Sequence, residues 1–230
     1  MNQITPEKYV DAFISSIIVY DQEDRGLKYP SETLVRLFKG NYIPNLQKDK
    51  SGLKILDVGC GNGNNTVFFK SIGFDAYGVE IDQEIIDYLN KKFNTAGVSF
   101  RQGLNSKLPF EDNTFDFLVS WNVIHYEGNH ENILRALEEY KRVLKPSGRV
   151  LISTTGLDHK ILENVESVRP HEYKIGVKSD PRCGQTHYFF ETKEHLQEMT
   201  ERYFQEIHIG EIYNDLFSSK LYSLLVTGQK

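Results

Sequence analysis

Residues 55–65 read Ile-Leu-Asp-Val-Gly-Cys-Gly-Asn-Gly-Asn-Asn, an apolar run that ends in an acid and continues with glycine at every second position. This pattern predicts a buried strand that turns sharply into a helix. Glycine loses more backbone freedom on folding than any other residue. The closely spaced Gly59, Gly61 and Gly63 therefore indicate unusual backbone angles, or a main chain that lies against a bound molecule.

A second acid follows in the next strand. Glu80 ends the apolar residues 76–79 and lies twenty-one positions after Gly59. The ends of neighbouring parallel strands lie side by side, so an acid at this spacing can reach the ribose hydroxyls of a nucleoside bound over the first turn.

Two common nucleotide motifs do not fit. A dinucleotide fold has Gly-x-Gly-x-x-Gly, and the third glycine would fall here at Asn64 or Thr66. The chain also has no Gly-x-x-x-x-Gly-Lys-Ser/Thr sequence, so a triphosphate site has no support. The plain alternative is a tight turn in an unrelated α/β protein, and matches further along the chain argue against it.

The turn instead resembles motif I of the class I methyltransferases that use S-adenosylmethionine. The resemblance covers residues 55–155: residues 100–105, 108–110 and 113–119 are similar to the third and fourth strands of that family, and residues 142–152 to its next helix, turn and strand. It implies an α/β fold with a Rossmann-like, seven-stranded, mostly parallel sheet, helices on both faces and an antiparallel last strand. It also implies S-adenosylmethionine as the cofactor.

By this resemblance, the strand-end acid and the glycines hold the amino-acid end of the cofactor. The cofactor-binding residues expected from the strand ends and turns are Asp57, Gly59, Cys60, Gly61, Gly63, Asn64, Glu80, Ile81, Leu104, Asn105 and Trp121. The family often has an acid directly after the glycine that corresponds to Gly103, placed for the adenine amino group. Here Leu104 stands there, so we expect Asn105 to accept that hydrogen bond while Leu104 gives a backbone amide and an apolar contact.

From residue 53 onwards, short apolar runs alternate with helical periodicity, which predicts parallel strands joined by right-handed crossovers. Strands are expected at 53–58, 75–80, 98–101, 115–120, 149–155, 203–212 and 220–228, and helices at 64–72, 83–94, 130–143 and 192–202. Amphipathic helices are expected before them, at 6–20 and from Pro30. We therefore divide the chain into an N-terminal helical cap, residues 1–50, and a methyltransferase domain, residues 51–230. The cap either covers the cofactor or only buries core surface.

Residues 156–190 break the alternation and are rich in polar side chains. This insertion follows the fifth strand at the edge of the sheet where the cofactor is expected. We therefore expect it to form part of the acceptor pocket, and the alternative is a partly ordered surface loop.

A sulfonium methyl is already activated, so such an enzyme mainly has to position the acceptor. A histidine can take the proton of an attacking hydroxyl, and His125, just after the fourth strand, is the first candidate. His187 and Tyr188 of the insertion are further candidates. A purely structural role is the alternative for each. No His-Glu-x-x-His or Cys-x-x-Cys pattern is present, so we expect no metal.

The amino-acid composition limits the classes of substrate and partner that we expect. The formal charge of −5, from 32 acids and 27 bases, gives no general attraction to nucleic acid, and the fourth strand lacks the Asn/Asp-Pro-Pro-aromatic turn of exocyclic-amine DNA methyltransferases, so we expect no DNA substrate. Two distant cysteines and the lack of a long apolar stretch predict a cytoplasmic protein without a membrane partner.

The sequence therefore predicts an S-adenosylmethionine-dependent methyltransferase that modifies a small-molecule acceptor at a hydroxyl group. The alternatives are a protein or RNA methyltransferase, and a cofactor-binding domain without turnover.

Overall fold

The computed structural model describes Ile18, residues 28–178, Asp180 and residues 182–230. Apart from Ile18, the helix predicted at 6–20 lies outside the described residues. The division into a cap, residues 1–50, and a domain, residues 51–230, therefore stays a prediction.

Seven strands form the main sheet, in the order β3-β2-β1-β4-β5-β10-β9. The neighbours from β3 to β5 are parallel, and β10 is antiparallel to both β5 and β9. The predicted mostly parallel sheet and its antiparallel late strand are therefore confirmed. In chain order the strands are β1 (Lys54–Val58), β2 (Asp75–Glu80), β3 (Ser99–Gln102), β4 (Phe115–Trp121), β5 (Leu144–Thr155), β6 (Glu166–Arg169), β7 (Glu172–Lys174), β8 (Thr186–Tyr188), β9 (Gln205–Leu216) and β10 (Ser219–Gln229).

Three of the five described helices begin at a residue whose side chain caps the helix. Asp82, Asn129 and Thr192 each accept a hydrogen bond from a backbone N–H of the first turn, which satisfies groups that the helix itself leaves unpaired. The helices are α1 (Glu32–Lys39), α2 (Asn64–Ser71), α3 (Gln83–Lys92), α4 (His130–Val143) and α5 (Lys193–Glu201). Short 3₁₀ turns occupy Ile124–Glu127 and Lys160–Leu162. None of these helices has the length and apolar content needed to span a bilayer.

Apolar side chains cover both faces of the sheet because successive residues of a strand point to opposite sides. Leu56 packs with α4 and α5, whereas its neighbour Ile55 packs with α1 and α2. Phe38 of α1 lies among Phe69 and Phe117, with ring centroids 5.0 and 5.2 Å away. Helix α1 therefore buries core surface, and whether the segment before β1 also covers the cofactor stays a prediction.

The predicted start of β5 is wrong. β5 begins at Leu144 rather than at residue 149, because Leu144 already pairs with Phe115 at the start of β4. The register then shifts before Phe117 pairs with Arg149. Pro146 and Gly148 lie within this irregular part of the strand, and they made it read as a turn in the sequence.

The insertion, residues 156–190, is a folded unit. Strands β6, β7 and β8 form a small antiparallel sheet, and Ile161, Ile175 and Phe189 form a buried apolar cluster of their own. The alternative of a partly ordered surface loop is therefore wrong for its described residues.

Candidate functional site

The turn between β1 and α2 has positive φ angles at Gly59 (65°) and Gly61 (52°), a region that favours glycine. A Cβ at Gly59 would lie 2.4 Å from Cγ2 of Val123, so the loop after β4 packs directly against the turn. A Cβ at Gly61 would meet no atom within 4 Å. The turn is therefore closed against protein at Gly59 and open at Gly61, which leaves room for a ligand to approach the main chain.

Other residues of the turn connect it to its surroundings. The Cys60 N–H donates to the Val79 carbonyl at 2.9 Å, which joins the turn to β2, and burial raises the pKa of the Cys60 thiol. Gly63 stands at the N-cap of α2, and the buried Asn64 is its first residue. These residues therefore connect the turn to β2 and to α2.

Asp57 is buried at the end of β1, with 1% of its surface exposed. Its Oδ2 accepts a hydrogen bond of 2.6 Å from the Thr66 hydroxyl. Burial raises the pKa of Asp57 to about 7, the Thr66 hydrogen bond opposes this shift, and the charge of Glu80 adds to it. No positively charged side chain of the described chain offsets the carboxylate, so the position suits a cationic ligand group.

Glu80 links the turn after β1 to the backbone that follows β2. Its carboxylate accepts hydrogen bonds from the N–H of Gly61 at 3.0 Å and from that of Ile81 at 2.8 Å, and burial raises its pKa. The proximity of the strand-end acid to the glycine turn, predicted from their spacing, is therefore present. This fixed carboxylate lies where the resemblance places a ribose-binding acid.

A pocket of about 310 Å³ adjoins the end of β2. Two apolar side chains on it, Ile81 and Leu104, are 45% and 46% exposed, which suits a flat ring between them. The residues that line the pocket are Ile81, Gln102, Gly103, Leu104, Lys107, Leu108 and Pro109.

Asn105 and the Leu104 amide are engaged inside the protein. The Asn105 side chain donates to Glu127 at 2.7 Å and accepts from the Tyr140 hydroxyl at 3.1 Å. The Leu104 N–H donates to the Lys107 carbonyl at 3.3 Å. Of the three groups expected to contact adenine, the Asn105 side chain and the Leu104 N–H already bond within the protein, and only the Leu104 side chain does not.

The end of β4 carries two features. Trp121, expected to contact the cofactor, packs against the apolar cluster on the α1 and α2 face of the sheet. Asn122 has a positive φ of 57°, and its N–H donates to Oγ of Ser153 at 2.8 Å. This bond fixes the start of the loop that leads to His125.

His125 is 1% exposed, and its ring stacks on Tyr126 with centroids 4.6 Å apart. Burial, followed by the charges of His187 and Arg182, lowers its pKa well below the usual range. Its Nδ1 has no hydrogen-bond partner among the described residues. The imidazole is therefore neutral at pH 7.

His187 and Tyr188 lie on opposite sides of β8, so the structure places only His187 beside His125. His187 lies 5.4 Å from His125 between ring centroids, and burial lowers the pKa of His187 to about 3. Tyr188 is buried in the main core, where its hydroxyl lies 3.1 Å from Nε2 of His195 and 3.3 Å from Nδ1 of His130. Tyr188 is therefore separated from the other two candidates.

Three residues beside His125 are not among those predicted from the sequence: Tyr126, Asp180 and Arg182. The Arg182 guanidinium donates to both carboxylate oxygens of Asp180 at 2.7 Å, and its Nη1 donates to the Tyr126 hydroxyl at 3.3 Å. Tyr126 follows His125 directly, so its position in the sequence could have indicated that it belongs to the same site. Asp180 and Arg182 lie more than fifty positions further along the chain, and no sequence pattern connects them to His125.

Because the turn is closed against protein at Gly59 and open at Gly61, Gly59→Ala and Gly61→Ala are predicted to have different effects. Positive φ costs each alanine about 1–2 kcal/mol, and the contact with Val123 adds about 1–3 kcal/mol for Gly59→Ala. We expect Gly59→Ala to lower the melting temperature most, and Gly61→Ala to lose affinity for S-adenosylhomocysteine with a smaller change in stability. Thermal unfolding and isothermal titration calorimetry measure both effects.

Gly52→Ala is the matched control, since Gly52 also has a positive φ, of 77°, and open space around it. Equal affinities for the Gly61→Ala and Gly52→Ala proteins would contradict a ligand site over the turn.

Comparison with known proteins agrees with this geometry. The chain matches the family described as Methyltransferase domain over residues 56–152. Sterol 4-C-methyltransferase strm-1 of Caenorhabditis elegans is 32% identical over 132 residues, which are 54% of this chain and 39% of that protein. Probable tRNA methyltransferase 9B of Bos taurus is 32% identical over 120 residues, which are 50% of this chain and 24% of that protein. The chain thus covers less than half the length of these relatives.

The fold is also similar to that of a solved structure. The crystal structure of a SAM-dependent methyltransferase from Methanosarcina mazei has a TM-score of 0.69 and 21% identity, over 84% of this chain and 96% of that one. With the glycine turn, the acid at the end of β2 and the strand order, these matches show that residues 56–152 are similar to a methyltransferase domain, and they support S-adenosylmethionine as its cofactor.

Proposed function

We propose that the chain transfers a methyl group to a hydroxyl oxygen of a small-molecule acceptor. The contact of Arg182 in the insertion with the Tyr126 hydroxyl beyond β4 carries this proposal. It supports a covered site at the edge of the sheet that holds the glycine turn, and the charge of Glu80 acts on the pKa of Tyr126 across that edge. A covered site suits a small acceptor better than a polymer.

The relatives differ in acceptor. The name of the Caenorhabditis elegans protein specifies a sterol, and that of the Bos taurus protein a tRNA. The formal charge of −5 favours the first kind, because RNA binding draws on clustered positive charge. The label-transfer experiment below distinguishes this proposal from methylation of RNA, from methylation of protein and from cofactor binding without turnover.

Bound S-adenosylmethionine supplies an activated sulfonium methyl, so the protein's task is to position both partners and to exclude water. We assign Asp57 to the cationic amino-acid end, Glu80 to the ribose hydroxyls, and Ile81 with Leu104 to the base. Gly61 leaves the space in which the main chain approaches the ligand.

His125 and His187 are proposed to face the acceptor as neutral imidazoles. Burial keeps both rings neutral at pH 7, and a neutral imidazole can accept a hydrogen bond from a hydroxyl. The same low pKa makes each ring a weak base, so loss of the hydroxyl proton accompanies methyl transfer rather than preceding it. Tyr188 has no part in this assignment.

Asp57→Asn tests the carboxylate. The pKa of Asp57 is raised in the folded protein, so its contribution to folding stability is present at low pH and is lost as the pH rises through about 7. The melting temperature of Asp57→Asn should therefore fall less than that of the wild type between pH 6 and pH 8. Wild-type affinity for S-adenosylmethionine should rise over this interval, since a cationic ligand favours the ionised acid, and a flat wild-type profile in calorimetry would refute the assignment.

Glu80→Ala tests the ribose contact. Loss of a buried acceptor costs about 1–3 kcal/mol, so we expect roughly 5- to 150-fold weaker binding of S-adenosylhomocysteine in calorimetry. Glu84→Ala is the matched control, because Glu84 is an exposed acid four positions further on, in the first turn of α3. Similar affinities for both variants would exclude Glu80 from the binding site.

The acceptor class is tested by label transfer from methyl-labelled S-adenosylmethionine. The small-molecule, protein and RNA fractions of an extract from the organism that encodes the chain are incubated separately with the enzyme, and the Glu80→Ala protein gives the background. We expect label in the small-molecule fraction alone. Label only in protein or RNA would replace the proposed acceptor, and no transfer by a protein that binds the cofactor would indicate binding without turnover.

A further inference from the structure

Five residues meet where the insertion contacts the loop after β4, and we call them the junction cluster: His125, Tyr126, Asp180, Arg182 and His187. The Tyr126 and His187 ring centroids are 4.6 Å apart, and those of the two histidines 5.4 Å. The Arg182 charge acts on the pKa of both histidines. Both imidazoles therefore lie within the electrostatic influence of one guanidinium.

Asp180 holds the guanidinium in a fixed orientation. Its two carboxylate oxygens accept from Nε and Nη2 of Arg182, and one of them also accepts from the Arg182 backbone N–H at 2.9 Å. This two-point pairing uses one edge of the guanidinium plane. Asp180 is therefore a positioning residue for Arg182.

The pairing leaves hydrogen-bonding capacity on Arg182. A guanidinium has five N–H donors, and the described bonds to Asp180 and Tyr126 use three of them. Two N–H groups are left, one on each terminal nitrogen, and a guanidinium binds a carboxylate through groups of this kind. The Arg182 side chain is 24% exposed, so it is not fully enclosed by the protein.

The imidazoles give a second, independent sign that a ligand can bind here. Nδ1 of His125 and Nδ1 of His187 are buried and lack a hydrogen-bond partner among the described residues. Nε2 of His187 lies 3.2 Å from Oε1 of Gln185, which makes Nε2 the donor and leaves Nδ1 of the neutral ring as an acceptor. A hydroxyl would satisfy such a nitrogen.

We propose that the acceptor carries a carboxylate separate from the hydroxyl to be methylated, and that Arg182, held by Asp180, selects the acceptor by binding this carboxylate. The proposal rests on the function proposed above and narrows its substrate class to hydroxylated organic acids. Burial is the main cause of the low pKa of His187, and the Arg182 charge is the second. A carboxylate on Arg182 offsets that charge, so a bound acid also makes the imidazole a better proton acceptor.

The test uses the labelled product, so the acceptor need not be identified beforehand. Product formed by wild-type enzyme in the small-molecule fraction is applied to an anion-exchange resin at pH 7. We expect it to be retained and then released by salt, because the carboxylate survives methylation. A product that passes through as a neutral or cationic compound would overturn the inference while leaving the proposed function intact, and absence of any small-molecule product would instead refute the proposed function.

Arg182→Gln provides the second arm. Loss of a charged hydrogen-bonding partner should reduce label transfer about 10- to 100-fold in dilute extract, with recovery as the extract is concentrated, since acceptor binding is what weakens. Arg169→Gln is the matched control, because Arg169 lies in the same insertion with 74% of its side chain exposed. Melting temperature and S-adenosylhomocysteine affinity verify that both variants fold. An equal rate for the two variants would exclude Arg182 from acceptor selection.

Discussion

The turn after β1 is the constraint on which the structure depends. Val123 occupies the place where a side chain at Gly59 would be, so the loop after β4 can reach its position only if that residue is glycine. The Gly61 N–H holds the Glu80 carboxylate, so β2 ends against the same turn. One short stretch therefore sets the relative positions of the ends of three neighbouring strands, and every group assigned to the cofactor is attached to one of them or to the loop after β3.

Most of the fold could be predicted because its signals are local. Asp82, Asn129 and Thr192 mark helix starts directly in the sequence, and alternating apolar residues mark the strands. The start of β5 was missed because its pairing with β4 depends on a partner distant in sequence. The fold of the insertion was missed because its few buried apolar residues are spread over a polar segment without a period.

The candidate site was predictable only in part. The proximity of Glu80 to the glycine turn follows from a fixed spacing in a parallel sheet. His187 and Tyr188 could not be assigned to different surroundings without knowing that they form a strand, in which neighbours face opposite ways. The pairing of Asp180 and Arg182 with Tyr126 depends on how the insertion folds back, and no motif reports that.

The sheet is completed by a strand from far along the chain. β10 lies inside the sheet between β5 and β9, and Val226 pairs with Ile152, 74 positions earlier (226 minus 152). Closing so long a loop is slow, because its entropy is lost before the contacts form. Until then β5 is an unpaired edge rich in apolar side chains, the kind of surface on which partly folded chains aggregate. The yield of native protein during synthesis or refolding therefore depends on how quickly β10 reaches β5.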